Sequence, residues 1–561
     1  MKIHRNIIDI ISEKPVLLVL LFNAVLYLTG ITWGLPNNAT WLSDSLAPYH
    51  PLVGLSQGFS FGYYHKYPMV HQLILAILNI PIVIAMGAGA ATSKGLSLER
   101  LLEVAQSPEY VTWLILVDRL VTVIMALVMI YFVYRAAREL FSERAAVFAA
   151  LVASFNTAIN FYSHVAKVEV PFLCWAMIAL YFLIRVVKFG IRKDYIGVAV
   201  FTCLAFGTKD QAYAVFVLPF ILFILLFPVL YRDKGENPFR ALFTRNFITF
   251  AGVFLAGTVI VENLVLNFSG FQKRLGFLLG EGGTRSISYT LEPDGIIALL
   301  TDSIRSMAKD TMGWPLLTLC GAGIILAAIR YRKNSRQLLL SLVFFIASLS
   351  FYLFFVQIIR QSNVRFVMPI TLFLTVYGGY AIDRGLAASR GIFKAAFILF
   401  VTASMLYGFY LTIHVNANLL FDTRYRAEDW MQQHMEKNAT IEYYAYEHYL
   451  PRFPRHTFTY RVKNDVLDIS ERKPDYIVIT SHYYRRYLGQ ISDEVISGRI
   501  VTNEKGKKFK RTQFPIFFHK LFNGKLPYKK TARFDYHIPG FRRISFSRLS
   551  PDHIIIYKRT E

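Results

Sequence analysis

The chain has 561 residues, of which 54% are hydrophobic and only 17% charged, with a net charge of +24. A water-soluble protein of this length carries more surface charge, and the 47 Phe and 33 Tyr suit lipid-facing helices with aromatic belts at their ends. The basic residues gather in short loops between apolar stretches, not on a soluble module, which excludes a nucleic-acid binder.

The N-terminus, MKIHRNIIDIISEKP, is basic and leads into the apolar stretch 15–33 without a small-residue cleavage site. That pattern predicts an uncleaved first helix with a cytoplasmic N-terminus. Ten further stretches are long enough to read as spans: 112–134, 145–161, 171–189, 195–208, 211–231, 246–265, 314–330, 337–357, 366–383 and 394–414. Five short basic connections, 135–144, 185–194, 231–245, 330–337 and 383–394, fall on the cytoplasmic side by the positive-inside rule. With that parity the segment 73–91 begins and ends on one face. It contains Asn79 and Pro81 and is expected to be broken, re-entrant or interfacial.

The expectation is a polytopic α-helical membrane protein of about eleven transmembrane helices plus interfacial helices. The membrane domain covers 1–414 with a first outer loop at 34–111, and residues 415–561 form a small C-terminal α/β domain on the outer face. Within that tail, 426–437 reads as an amphipathic helix, and TIEYYAY, PDYIVIT and HIIIYKR read as strands. KGKKFKR at 505–511 reads as a solvated basic loop. Three Asn-x-Ser/Thr triplets, at Asn38, Asn267 and Asn438, fall outside. Cys174, Cys203 and Cys320 lie in apolar runs without CxxC spacing and read as small buried hydrophobes.

Two acids carry the functional reading. Asp44, in WGLPNNATWLSDSLAP, follows the first span, and Glu169, in YSHVAKVEVP, lies between two later ones. A carboxylate beside a span is costly unless it is hydrated, paired or working. His65, Lys66, His164, Lys167, Lys209, Asp210 and Arg365 share the same predicted face. A carboxylate can take a proton from an acceptor hydroxyl, and cations can hold a lipid-linked phosphate as it leaves. No Gly-rich phosphate loop for a nucleotide is visible.

The order of elements resembles the GT-C glycosyltransferases, specifically the protein O-mannosyltransferase and aminoarabinose-transferase superfamily with its bacterial lipopolysaccharide-modifying branch. The residues that carry the resemblance are GLP…D after the first span, Tyr67-Pro68 before an apolar segment, VDRLVTVIMALVMIYFVYRAARELFSERAAVFAALVASF, YSHVAKVEVP, AFGTKDQAYA, RFVMPI, DTRYRAEDWMQQHMEKNATI and PDYIVITSHYYRRYL. The resemblance covers essentially the whole chain. It implies Asp44 as general base for the acceptor and Glu169 as the acid that orients acceptor or donor sugar. It also implies Lys66, Lys209 and Arg365 as cations at the lipid phosphate. His65, His164 and Asp210 are candidate substrate contacts. Members often carry Asp-Glu where this chain has Asp44-Ser45. They use polyprenyl-phosphate sugars and generally invert at the anomeric carbon.

The expected partners are therefore a polyprenyl-phosphate sugar donor, a lipid, glycan or protein hydroxyl acceptor and membrane lipid, with no nucleic acid. The expected location is the plasma (inner) membrane, with the site and C-terminal domain extracytoplasmic. No cofactor is indicated. A divalent metal is compatible, but His65, His71 and His164 have no diagnostic ligand spacing. Plainer roles stand beside these: Asp44 as a helix cap, Glu169 as a structural ion-pair partner, Lys209 and Arg365 as interface anchors. The other function class is a polytopic transporter or lipid flippase, which would place its charges nearer the bilayer midplane.

Overall fold

The computed structural model describes residues 14–36, 41, 46, 49–91, 104, 107–231, 244–280, 287–463, 465–488, 513–538 and 551–560. Two compact units emerge: Met1–Thr32 with Asp44–Asn416, and Trp33–Ser43 with Ala417–Glu561.

The first unit is helical. Its N-terminal half comprises α1 (Lys14–Leu28), α2 (Tyr49–Ser56), α3 (Met69–Ala91), α4 (Pro108–Leu140), α5 (Glu143–Ser154), α6 (Thr157–Ser163), α7 (Glu169–Phe189) and α8 (Arg192–Phe206). After a 3₁₀ turn at Asp210–Ala212 come α9 (Tyr213–Tyr231), α10 (Arg245–Val261), α11 (Phe268–Leu279), α12 (Pro293–Met307) and α13 (Gly313–Tyr331). The remainder is α14 (Ser335–Ser341), α15 (Val343–Phe351), α16 (Val364–Ala388) and α17 (Gly391–Leu420).

Among the described residues six runs are long and apolar enough to cross a membrane: Met69–Gly89, Pro108–Leu140, Glu169–Phe189, Pro293–Tyr331, Val364–Ala388 and Gly391–His434. The count rises to eight if each bent pair is one span, α5 with α6 (67°) and α14 with the Val343–Ile359 run (54°). The predicted spans at 15–33, 195–208, 211–231 and 246–265 are represented by apolar helices of 15–19 residues. The chain is a multi-pass membrane protein.

The segment 73–91 is not broken. Met69–Ala91 is one continuous 23-residue helix with Pro81 inside it. At about 1.5 Å per residue it is long enough to cross a hydrocarbon core. Its interior stripe is His71, Leu75 and Asn79, spaced by four and fully buried. The Asn79 amide donates to Asp118 Oδ1 on α4 at 2.8 Å, which pairs the asparagine's donor, while its Oδ1 has no hydrogen-bond partner among the described residues. Ile77, Leu78 and Ile84 stay exposed and apolar, as lipid-facing positions do.

Caps account for the bends. Asn156 accepts from the Ala158 and Ile159 amides and starts α6 afresh after α5. Ser142 caps α5 and donates to Asp383 on α16, which also pairs with Arg144. The α16–α5 approach is backbone to backbone: a Cβ at Gly379 would run into Ala145 O and the Ala149 amide. Small residues permit such contacts in membrane bundles.

The second unit packs α18 (Thr423–His434), α19 (Ile469–Arg472), α20 (Ser481–Leu488) and α21 (Phe514–Phe522) with five strands, β1 (Thr440–Tyr443), β2 (Phe458–Arg461), β3 (Tyr476–Thr480), β4 (Tyr528–Asp535) and β5 (His553–Arg559). The strand order is β2-β1-β3-β5-β4. β1 runs parallel to β2 and β3, with Ile441 opposite Tyr476, and β5 runs antiparallel to β3 and β4. β3 is buried throughout. β2 and β4 are the edges, and Lys529, Lys530 and Arg533 on β4 protect an exposed ladder. This α/β unit also holds part of the first loop. Arg424 pairs with Asp422 at 2.6 Å and lies 3.9 Å from the Trp41 ring, while the Trp33 indole donates to Asp422 at 3.0 Å. The basic run 505–511 lies outside the described residues.

Replacing Gly379 with Leu should destabilise the helical unit by about 1–3 kcal/mol through overpacking. Gly321→Ala, inside α13 where a Cβ meets nothing within 4 Å, should not destabilise, because Ala is the better helix former. Thermal unfolding of the detergent-purified protein checks both.

Candidate functional site

Charges gather where helices begin. Glu169 is the first residue of α7, where its carboxylate complements the helix dipole. Its side chain is 1% exposed, and Oε1 accepts from the Lys209 ammonium at 3.2 Å. Lys209 is supplied by the extended turn after α8, and its ammonium sits 5.0 Å from the ring of Phe172, one turn along α7. Lys167 and Arg365 also act on the Glu169 carboxylate. Lys167 stands 5.5 Å over the Tyr162 ring. Arg365, at the start of α16, stands 5.1 Å over Phe366, and its backbone amide donates to the Asn363 cap. The second carboxylate oxygen of Glu169 has no hydrogen-bond partner among the described residues. The α6–α7 junction, the α8–α9 turn and the start of α16 thus converge on one buried acid, with aromatic faces beneath each cation.

Asp44 lies outside the described residues. Leu46, two positions further on, donates its amide to Ala166 O at 2.8 Å and packs with Leu75 and Val168, the neighbour of Glu169. A second tie joins the α8–α9 turn to the start of α3: the Val70 amide donates to Gly207 O at 2.9 Å.

The other predicted residues distribute differently. Lys66 is exposed, with its ammonium 5.1 Å over the ring of Tyr67, which packs beside Leu46 and Val168. His65 Nδ1 accepts from the Tyr67 amide at 3.2 Å and lies 2.8 Å from the Gln72 amide nitrogen. Two donors on one nitrogen place the proton of the neutral ring on Nε2. Burial, with His50 and Lys66 nearby, lowers the His65 pKa to about 4. His164 is fully buried, and its ring nitrogens lie 2.6 Å from Asn160 O and 2.8 Å from Thr29 O. Both contacts are to backbone carbonyls: Asn160 O lies in the same helix, and Thr29 O links the ring to the turn after α1. Asp210 pairs with Arg274 at 3.0 Å.

Arg274 was not singled out from the sequence. It also bonds Glu262, so one arginine of α11 holds two acids from separate turns. His71 is fully buried, and neither of its ring nitrogens has a hydrogen-bond partner among the described residues. Asn267, one of the glycosylation-type triplets, is 5% exposed. It caps α11 and donates to Tyr63 O at 2.7 Å, so it is not presented for modification. Among the described residues no group of three His, Cys, Asp or Glu side chains could hold a metal ion.

Breaking a buried pair leaves uncompensated charge, at a cost of about 3–5 kcal/mol. Glu169→Ala should therefore destabilise more than Lys209→Ala. The first leaves Lys167, Lys209 and Arg365 facing one another; the second leaves Glu169 with two cations. Denaturation of both variants tests the asymmetry.

A histidine with a lowered folded pKa binds its proton more weakly than in the unfolded chain, so its stabilising effect is lost as pH falls. For His65 the window runs from about 6.5 down to about 4. His65→Gln should flatten the decline in melting temperature over that window relative to the parent protein.

Residues 114–261 match the model of the dolichyl-phosphate-mannose-protein mannosyltransferase family. The matched segment carries Lys167, Glu169, Lys209 and Asp210. That match bears out, over residues 114–261, the mannosyltransferase likeness read from the sequence. Among solved structures, ArnT from Cupriavidus metallidurans bound to undecaprenyl phosphate is similar at 14% identity, covering 86% of this chain and 95% of its own, with a TM-score of 0.48. The oligosaccharyltransferase AglB from Archaeoglobus fulgidus, in complex with an inhibitory peptide and a dolichol-phosphate, is similar at 13% identity, covering 97% and 88%, with a TM-score of 0.45. No curated protein matches the chain.

Proposed function

We propose that this protein is an integral-membrane glycosyltransferase that moves a sugar from a polyprenyl-phosphate donor to an acceptor hydroxyl on the outer face of the plasma membrane. The observation that carries the reading is the convergence of Lys209, Lys167 and Arg365 on buried Glu169. Cations gathered at helix ends beside apolar spans suit a phosphate whose lipid tail remains in the bilayer.

In this reading Asp44 takes the proton from the acceptor hydroxyl as its oxygen attacks the anomeric carbon. The bond from that carbon to the phosphate oxygen breaks, and the phosphate leaves with one more negative charge. Lys209 and Arg365, with Lys66 at the exposed side, stabilise that charge as it develops. Glu169 keeps the Lys209 ammonium in place and offers its free oxygen to a sugar or acceptor hydroxyl. Leu46, two positions after Asp44 in the sequence, bonds to Ala166 in the segment that leads to Glu169. The acceptor is a glycolipid, polysaccharide or protein hydroxyl.

A transporter is less well supported, because Glu169, Lys209 and Arg365 all stand at helix ends or in turns. Incubating the purified protein with a panel of polyprenyl-phosphate sugars, and following donor cleavage or transfer, tests the activity. Loss of a general base typically removes about 10²–10⁴-fold in rate. Asp44→Ala should show that loss with an unchanged melting temperature; retained transfer refutes the assignment.

A further inference from the structure

We infer that the apolar cavity at the far end of the helices carrying the charged cluster receives the distal part of a long isoprenoid tail, so that the protein reads the length of its lipid carrier. This inference rests on the donor reading above. The cavity has an empty volume of ≈430 Å³, open mouth included, and is walled by Leu183, Ile184, Pro219, Leu340, Val343 and Ile346 among others, every one apolar.

Three features point to a tail that begins at the cations. First, the walls belong to the elements whose opposite ends bear the charges. α7 starts at Glu169 and reaches the cavity at Leu183; α9 follows Lys209 and reaches it at Pro219; the Val343–Ile359 run leaves it and leads towards Arg365. α9 and α15 are joined along this path, since Ser350 Oγ accepts from the Leu218 amide at 3.0 Å. Second, the distance selects a long chain. At about 1.5 Å per residue, Glu169 to Leu183 spans about 21 Å along the helix. Half of a hydrocarbon core is only about 15 Å, so a short prenyl chain such as farnesyl anchored at the Glu169 end stops short. A carbon chain advances about 1.2 Å per bond, so roughly four to five isoprene units are needed to reach the cavity. Third, the lining offers no polar group to a headgroup, so the occupant is a hydrocarbon segment whose polar end lies elsewhere.

The lipid tails a prenyl chain leaves behind are as apolar as the cavity, so the gain comes from packing alone and is modest, roughly three- to tenfold in affinity. The test uses the full-length protein in lipid nanodiscs and compares binding of undecaprenyl phosphate with that of farnesyl phosphate. Wild type should prefer the long chain by that factor. Ile346→Trp, which fills the cavity, should lower long-chain affinity to the short-chain value and leave short-chain affinity unchanged. Val343→Ala, which enlarges it, should retain the preference and guards against a mere folding defect, checked by equal melting temperatures. Equal affinity for both lipids in wild type, or an unaltered preference in Ile346→Trp, overturns the inference and assigns the cavity to structural bilayer lipid. Failure of either phosphate to bind at all would instead overturn the donor reading.

Discussion

The Glu169–Lys209 pair is the constraint around which the helical unit is organised. Both side chains are nearly inaccessible to water, 1% and 5% exposed. Two buried ions must come together with good geometry or be excluded from the interior. Meeting that requirement fixes the start of α7 against the turn after α8. The Val70–Gly207 hydrogen bond then sets the start of α3, and the Leu46–Ala166 bond sets the exit of the first loop. Arg365 brings α16 to the same place, and α16 in turn packs backbone to backbone on α5 through Gly379. Electrostatics at helix ends and small-residue packing at helix centres therefore divide the work, as expected where lipid supplies no hydrophobic drive between helices.

The cations that hold a carboxylate in the resting protein are suited to hold a phosphate in a working one. Each has an aromatic face at 5.0–5.5 Å, Phe172, Tyr162 and Phe366, which steadies a cation without cancelling its charge. Asp210 and Glu262 share Arg274, a second cluster that keeps its charge within the protein.

Much of this was legible in the sequence because membrane constraints write themselves into linear patterns. Acids and lysines at the ends of apolar runs marked Glu169, Lys209 and Arg365 before any packing was known. What stayed hidden depends on contacts between distant residues. Arg274 meets Asp210 across 64 positions, and nothing local marks that pair. Asn79 and Pro81 suggested a break in 73–91, yet the asparagine's amide finds Asp118 on α4 and the helix runs through. His164 read as a substrate contact because it falls in a predicted outer-face loop; its ring nitrogens instead face two backbone carbonyls. The edge strand β4 escaped notice because its charged and exposed residues mask the β pattern that revealed β1, β3 and β5, and β2 because it is only four residues long. Asp44 rests on sequence and on its tethered neighbour Leu46.

The most direct measurement is an experimental structure of the full-length protein with a polyprenyl phosphate bound in lipid. The account predicts phosphate density within hydrogen-bonding reach of Lys209 and Arg365, beside Glu169. Phosphate density held by Arg274, or a lipid bound without its phosphate at the Glu169 cluster, would contradict it.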